Sequence, residues 1–180
     1  MNRAAGFSLI EMMIVVTIGA VLSVVAVHGF STLRQSSSIA GEISDFMGQM
    51  EFARAEALRQ GNAVVVCVST SGTGCTSGTA WDAGYIVFSD ANSNGSYDTG
   101  DTILRRQKAF SGGDTMTPDT TSSASIFKFN RLGYISNIAA NTTVLMTVHA
   151  KVPDTSSTQC VSVTLIGKLT QMAAGTGGCT

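Results

Sequence analysis

The chain opens with a long apolar run. Met12 to Phe30 contain no charged side chain and consist mainly of Ile, Val, Leu, Met and Ala. A helix of about 19 residues crosses roughly 30 Å of hydrocarbon, and it satisfies its own backbone hydrogen bonds in lipid. The pattern therefore predicts a transmembrane helix over residues 7–30.

From Ser31 to Gln60 the apolar side chains recur at steps of three and four, which is typical of an amphipathic helix. They are Ile39, Ile43, Phe46, Met47, Met50, Ala53 and Ala57. Gly61-Asn62 follow the last turn and indicate a C-cap. Residues 31–60 are thus predicted to pack on a globular domain. With the apolar run they form one helix of about 54 residues, roughly 80 Å long.

Beyond Gly61 the hydrophobic period changes to two. Val64, Val66 and Val68 alternate with Ala63, Val65 and Cys67, which indicates a largely buried strand. The other predicted strands are Tyr85–Ser89, Ile103–Lys108, Ile126–Asn130, Thr143–Ala150 and Cys160–Ile166. Short Gly, Ser, Thr and Asn clusters separate them, as in antiparallel hairpins, and 111–125 is predicted to be a loop. The class is α+β, with an antiparallel domain over residues 61–180.

Glu11 is an exception within the apolar N-terminal segment. A carboxylate costs roughly 2.5–3.5 kcal/mol at the middle of a bilayer, so an acid in such a segment is a functional hypothesis by default. The amine of Phe7 would be a suitable cation if cleavage after Gly6 set it free. Because a chain cannot easily fold its first residue back along its own helix, we expect the amine of a neighbouring subunit.

The stretch Gly6-Phe7-Ser8-Leu9-Ile10-Glu11 resembles the prepilin leader junction of type IV pilins and type II secretion pseudopilins. The resemblance implies a leader of residues 1–6 that prepilin peptidase removes, N-methylation of Phe7, and a role for Glu11 in filament assembly. An ordinary signal anchor, with Glu11 reaching the membrane interface, is the alternative. His28 stands where many major pilins have a proline, so a proline kink is not available there.

Further stretches resemble the GspH/FimT family of minor pseudopilins and minor pilins. They are Ala53-Arg54-Ala55-Glu56-Ala57, Val66-Cys67-Val68-Ser69 and Trp81-Asp82-Ala83-Gly84-Tyr85-Ile86-Val87-Phe88. The resemblance implies a type IV pilin-like lollipop fold. It also implies other pilin subunits, the peptidase and the inner-membrane assembly machinery as partners. The expected function is that of a minor subunit in a secretion pseudopilus or a type IV pilus.

The four cysteines, Cys67, Cys75, Cys160 and Cys179, fit an oxidising compartment. Arg3 favours a cytoplasmic N-terminus, which would place the C-terminal domain in the periplasm and the single helix in the inner membrane. The spacings are too long for paired zinc ligands. We favour disulfides between the local pairs, Cys67–Cys75 and Cys160–Cys179, and leave cross-pairing open.

Enzymatic chemistry has little support in the sequence. The two histidines, His28 and His149, lie in the apolar run and on a predicted strand, so a histidine-based triad is not credible. No glycine-rich phosphate loop follows a strand. We therefore expect a protein that is not an enzyme and has no certain cofactor, with calcium as the candidate cofactor.

The calcium candidate is the segment 90–101. Its oxygen side chains fall at loop positions 1, 3, 5, 9 and 12, with glycine at 6, as in an EF-hand loop. They are Asp90, Asn92, Asn94, Asp98 and Asp101. Position 12 is not the usual glutamate, however, and the flanks are predicted strands. We favour a hairpin in which Asn94-Gly95 make the turn, and keep a calcium-regulated adhesive subunit as an alternative.

Nucleic acid is the other alternative partner, because some FimT-like minor pilins take part in DNA uptake through basic residues near the C-terminus. The net charge of −1 predicts no bulk attraction to phosphate, and the tail offers only Lys168. Further cations could form a patch only if the fold gathers them. These are Arg105, Arg106, Lys108, Lys128, Arg131 and Lys151.

Overall fold

The structure, a computed structural model, describes residues 7–119, 124–151 and 157–179, and for residues 24–32 it describes the helical backbone alone. The described residues form one α-helix, α1 (Leu9–Gln60), a short 3-10 helix (Trp81–Ala83) and a set of strands. The strands are β1 (Ala63–Val68), β2 (Tyr85–Asp90), β3 (Thr102–Gln107), β4 (Thr115–Pro118), β5 (Ile126–Phe129), β6 (Thr143–His149), β7 (Gln159–Thr164) and β8 (Leu169–Ala173). The predicted α+β class, a helix followed by antiparallel sheet, is confirmed.

The chain divides into two compact units, Met1–Ser37 and Ser38–Thr180. In the first unit the described side chains from Phe7 to Ser23 are exposed. Among the residues that the structure describes, no helix combines the length and the apolar character needed to cross a membrane. The predicted span of residues 7–30 includes side chains outside the described part, and it stays a prediction.

The second unit is built on the apolar stripe of α1. Ile39, Ile43 and Phe46 are fully buried, and Met50, Ala53 and Ala57 are at most 1% exposed. Each buried aliphatic or aromatic side chain contributes about 1.5–3 kcal/mol relative to exposure. After the last turn Gly61 takes φ 70°, and its N–H donates to the Ala57 carbonyl at 3.0 Å, which ends the helix.

The strands form two four-stranded antiparallel sheets, in the orders β3-β2-β1-β5 and β4-β6-β7-β8. β4 lies in a stretch predicted to be a loop, and β8 is not predicted at all. Both are edge strands with few buried side chains, so their own sequences carry little strand signal. Pairing with β6 and β7 supplies the hydrogen bonds that make them strands.

β1 is buried along its whole length because both of its faces are covered. Val64, Val66 and Val68 belong to the main core, together with the α1 stripe. Val65 and Cys67 belong to a second, smaller cluster on the other face, with Ile86 and Phe88 of β2. This explains the nearly continuous apolar sequence of the strand.

Aromatic side chains join α1 to the first sheet. The Phe46 ring lies 5.7 Å from Trp81, 6.0 Å from Tyr85 and 6.3 Å from Phe127, in edge-to-face arrangements. The Trp81 Nε1–H donates to the Ala124 carbonyl at 2.9 Å. Such ring pairs add about 0.5–1.5 kcal/mol each to the burial term, so this group contributes strongly to the packing of α1 on the sheet.

Candidate functional site

The N-terminal motif lies at the beginning of α1. The Ser8 carbonyl accepts the N–H groups of Glu11 and Met12 at 3.1 and 3.2 Å, and Phe7 precedes the helix with 78% of its surface exposed. Glu11 is exposed in the first turn, where a carboxylate is favourable beside the positive end of the helix dipole. Its side chain pairs with no described residue of the chain. Gly6 lies outside the described residues.

The cysteines form the two local disulfides. The Cα atoms of Cys67 and Cys75 are 5.6 Å apart, and those of Cys160 and Cys179 are 5.7 Å apart. The first bond ties the loop after β1 back onto β1, and the second holds the glycine-rich C-terminal segment against β7. In the chain-entropy model the longer loop gains about 3 kcal/mol. The cross-pairing alternative does not occur in the structure.

Asp90, the first residue of the calcium candidate, is fully buried and accepts backbone hydrogen bonds. Its Oδ1 accepts the N–H of Asn94 at 3.1 Å, and its Oδ2 accepts the N–H of Gly95 at 2.8 Å. The ammonium of Lys128 lies 3.9 Å from Oδ2 and donates to the Ser93 carbonyl. Both oxygens therefore stabilise the turn itself.

The other four candidate ligands follow the same scheme. Asn92 and Asn94 accept the N–H two residues on and donate to the Asp98 carboxylate. Asp101 accepts the N–H of Ala91 and of Asp98, both at 2.9 Å. Within the described residues no three acidic, histidine or cysteine side chains are placed to hold a metal ion. The geometry is that of a turn built from Asx hydrogen bonds.

The cations proposed for nucleic acid are spread over different local contacts. Arg105 lies 3.6 Å above the Phe52 ring, Arg106 donates to the Gly72 carbonyl at 2.7 Å, and Lys128 lies beside Asp90. Lys168 is exposed in the turn between β7 and β8. Arg105 and Arg106 are adjacent on one strand and so face opposite sides of the sheet. Lys128 and Arg131 line one cavity, whereas Arg105 and Arg106 make their contacts elsewhere, so these contacts do not describe one phosphate track.

A group of carboxylates that the sequence analysis did not single out lies beside Tyr85. Burial, and then the neighbouring carboxylate of Asp114, raise the pKa of Glu42 to about 7, while a hydrogen bond with Ser38 opposes the shift. Asp82 and Asp45 add smaller repulsions. One oxygen of Glu42 is buried without a hydrogen-bond partner.

Tyr85, on β2 of the first sheet, lies beside the same carboxylates. Its side chain is fully buried, its hydroxyl has no hydrogen-bond partner, and burial followed by the charges of Asp45 and Glu42 raises its pKa. Asp82 and Asp114 accept the N–H groups of Met116 and Lys151, at 3.1 and 2.9 Å. We call Glu42, Asp45, Asp82 and Asp114 the acidic cluster. Glu42 borders the α1 stripe in sequence, but only the fold brings the other acids to it.

Two family models match the chain. The sequence model described as Type II transport protein GspH matches residues 42–167, and that of the Prokaryotic N-terminal methylation motif matches residues 1–27. No curated protein matches the sequence.

Two solved structures share the fold. One is the type IV minor pilin FimU of Pseudomonas aeruginosa, with 15% identity and a TM-score of 0.58 over 82% of this chain and 96% of FimU. The other is the minor pseudopilin EpsH from the Type 2 Secretion System of Vibrio cholerae, with 12% identity and a TM-score of 0.52 over 77% of this chain and 98% of EpsH. At such low identity the likeness is one of fold.

Proposed function

The chain belongs to the Type II transport protein GspH family, and we propose that it is a minor pilin or pseudopilin. In this role it is a low-abundance subunit of a type IV pilus or a type II secretion pseudopilus. It acts by assembly with other pilin subunits, and no catalytic group is required. The observation that carries the proposal is a methylation-type N-terminus on a helix that leads into a GspH-type domain.

The exposed side chains of α1 support this role. Leu9, Ile10, Ile14, Val21 and Leu22 are each more than 50% exposed. Apolar side chains in such a row gain free energy only when lipid or other helices cover them. In our proposal the inner membrane covers them first, in a single pass with the C-terminal domain in the periplasm, and the helices of neighbouring subunits cover them in the filament.

The motif residues receive their roles in the same proposal. Prepilin peptidase cuts after Gly6, Phe7 becomes the methylated N-terminus, and Glu11 pairs with the amine of a neighbouring subunit. Glu11 is exposed in the first turn of α1, where a neighbouring subunit can reach its carboxylate. Both disulfides fit an oxidising periplasm.

The test is the mass of the N-terminal peptide of the chain purified from its own cells. We expect a peptide that begins at Phe7 and carries one added methyl group, and we expect Gly6→Leu to leave the leader in place. Pili or secretion should then fail in cells that have only the Gly6→Leu chain. A wild-type chain that still begins at Met1 and supports neither filament would contradict the proposal.

The two alternative functions have weaker support. A DNA-binding subunit needs several cations along one track. Arg105, Arg106 and Lys128 instead make separate contacts with other residues of the same chain. A calcium-regulated subunit needs free oxygens in the segment 90–101, where backbone N–H groups and Lys128 already use them. A gel shift tests the first alternative and a calcium titration tests the second.

A further inference from the structure

The second unit exposes large apolar side chains at one place. Leu58 is 52% exposed, Leu132 63%, Tyr134 44% and Ile166 51%, and they are the exposed large apolar side chains among the described residues of this unit. They come from the last turn of α1, the loop after β5 and the turn between β7 and β8. Three separate segments of the chain thus present apolar side chains to solvent.

Two glycines show that the three segments meet. A Cβ atom at Gly133, between Leu132 and Tyr134, would lie 3.2 Å from Arg54 Nε and 3.4 Å from Leu58 Cδ1. A Cβ atom at Gly167, next to Ile166, would lie 3.2 Å from Arg54 Cδ and 3.3 Å from the Gly133 carbonyl. The Arg54 side chain therefore runs across both glycines. We call Arg54, Leu58, Leu132, Tyr134 and Ile166 the end patch.

Hydrogen bonds hold the segments of the end patch in place. Asn130 Oδ1 accepts the N–H groups of Leu132 and Tyr134, at 2.9 and 3.1 Å, and the Asn130 N–H donates to the Tyr134 carbonyl at 2.8 Å. The Ile135 N–H donates to the Leu165 carbonyl at 2.8 Å. Because these backbones are already ordered, a partner would bind without the entropic cost of ordering a loop.

The charge on the end patch indicates what covers it. Arg54 is half-buried, and its guanidinium forms no hydrogen bond or ion pair with any residue that the structure describes. A guanidinium beside exposed Leu, Ile and Tyr side chains is a typical binding hot spot, and its natural partner is a carboxylate with apolar neighbours. The partner surface is therefore acidic and apolar.

The same unit carries groups of the opposite charge in the acidic cluster, where Asp45 is exposed, Glu42 and Asp82 are half-buried and Asp114 is buried. The acidic cluster has no basic side chain in ion-pair contact within the described part of the chain, and Glu42 precedes Arg54 by 12 residues, about 18 Å along α1. A subunit of this fold therefore has one exposed carboxylate, that of Asp45, at one level of the helix and an unpaired arginine at another. Head-to-tail contacts between such subunits bring opposite charges together.

We propose that the end patch is a subunit contact that binds an acidic and apolar helix face of the adjacent pilin subunit. This inference rests on the proposed function, because a filament supplies the neighbour. Arg54 pairs with a carboxylate of that neighbour, and Leu132, Tyr134 and Ile166 cover the apolar side chains around it. The contact is distinct from the N-terminal helix pairing through Glu11.

The test is a photo-crosslink in cells that assemble the filament with the full chain. A photoreactive amino acid replaces Leu132, and in a control it replaces Thr102, which is exposed on β3. We expect Leu132 to yield an adduct with a pilin subunit, with the crosslinked peptide containing an Asp or Glu. Arg54→Glu should lower this yield about tenfold, since like charges would then meet. Arg54→Lys should keep most of it.

Two further controls make each outcome interpretable. The Arg54 variants must unfold at the same temperature as the wild type in detergent, and Lys108→Gln removes an exposed charge elsewhere without changing the adduct.

A Leu132 yield no higher than that of Thr102, or an adduct with a protein that is not a pilin, overturns the inference. If processing and filament entry are normal while the adduct is absent, the end patch assignment fails and the proposed function stands. If the chain is neither processed nor assembled, both fail.

Discussion

Glu42 borders the helix face that carries Ile39 and Ile43, and its surroundings change its chemistry. An exposed glutamate on a helix titrates near pH 4.5, whereas burial and the Asp114 carboxylate raise the pKa of Glu42 to about 7. A group whose pKa is higher in the folded chain than in the unfolded chain stabilises the fold at low pH. This contribution is lost as the pH rises from the unfolded-state pKa through the folded-state pKa. Glu42 should therefore weaken the fold above neutral pH.

We predict that Glu42→Gln raises the unfolding temperature at pH 8 and leaves it unchanged at pH 4.5. Both side chains are neutral at the lower pH, and only the wild type is charged at the higher one. Solvent reaches part of the carboxylate, so we expect a net gain of about 1 kcal/mol, or about 3 °C. Thermal unfolding of the full chain in detergent between pH 4.5 and 8 measures it. If the unfolding temperatures of the wild type and of Glu42→Gln differed by the same amount at every pH, the assigned pKa would be wrong.

Gly84 is a second position where the surroundings decide what a residue can be. It has φ 109°, and a Cβ atom there would lie 2.9 Å from the Gln107 carbonyl and 3.0 Å from the Ser69 carbonyl. Both neighbours are backbone atoms of the first sheet region, which cannot move cheaply. The glycine thus allows three backbone segments to approach one another closely just before Tyr85.

We predict that Gly84→Ala destabilises the second unit by about 2–3 kcal/mol, through steric contact and a strained φ. Gly48→Ala is the matched control, because Gly48 lies in α1 with no atom near its missing Cβ. Alanine there should stabilise the helix by about 0.5–1 kcal/mol. Denaturant midpoints of both variants check the pair. Equal effects of the two substitutions would show that the Gly84 contacts are not tight.

At the scale of elements, short segments derive their structure from neighbouring strands and from covalent ties. β4 and β8 are edge strands that exist because β6 and β7 offer them backbone partners. The Cys160–Cys179 bond keeps the segment after β8 next to β7. The hairpin between β2 and β3 is organised differently, since its turn is held by its own side chains.

We predict that calcium leaves the unfolding temperature unchanged, because the turn of 90–101 already uses its oxygens. Asp90 accepts two backbone N–H groups beside Lys128, and Asp101 accepts two more. Thermal unfolding with millimolar calcium and with chelator tests this, and Lys128→Gln serves as a sensitised variant because it removes the competing cation. A rise in the wild-type midpoint with calcium would establish the site that the spacing suggested.

At the scale of the whole molecule, the two units have different apolar requirements. The second unit buries its core internally, whereas the described side chains of the first unit leave Leu9, Ile10 and Ile14 exposed. A subunit with this division of apolar surface gains stability from its surroundings as well as from its own packing. Glu11 lies within that exposed apolar segment and should matter at the moment the surroundings change from lipid to filament.

We predict that Glu11→Ala still inserts in the membrane and fails to enter filaments. Insertion becomes easier because the variant lacks a carboxylate that costs roughly 2.5–3.5 kcal/mol at the middle of a bilayer. Assembly fails because the amine of the neighbouring subunit is left unpaired in the apolar core of the filament. Membrane and sheared-filament fractions measure the two steps, and Glu11→Asp should keep part of the assembly. Wild-type amounts of Glu11→Ala in filaments would show that the pairing has no role.

The sequence by itself determined the features that depend on local order. The periodicity of Ile39, Ile43 and Phe46 predicts the buried face of α1, and the alternation around Val66 predicts β1, because both patterns follow from the repeat of one element. The GspH-type motifs indicate the family for the same reason, since they are contiguous runs of residues.

Only the tertiary structure decided which distant segments meet. The division into two sheets and the strands β4 and β8 depend on pairings that no single segment encodes. The structure also confirms the favoured local disulfides and excludes the cross-pairing that the sequence left open. The acidic cluster needs α1 beside Asp82 and Asp114, and the end patch needs Gly133 and Gly167 against Arg54. The free energy of a charge or of an exposed apolar side chain depends on the groups within a few ångströms of it. The number of residues between two groups along the chain does not determine whether they lie that close.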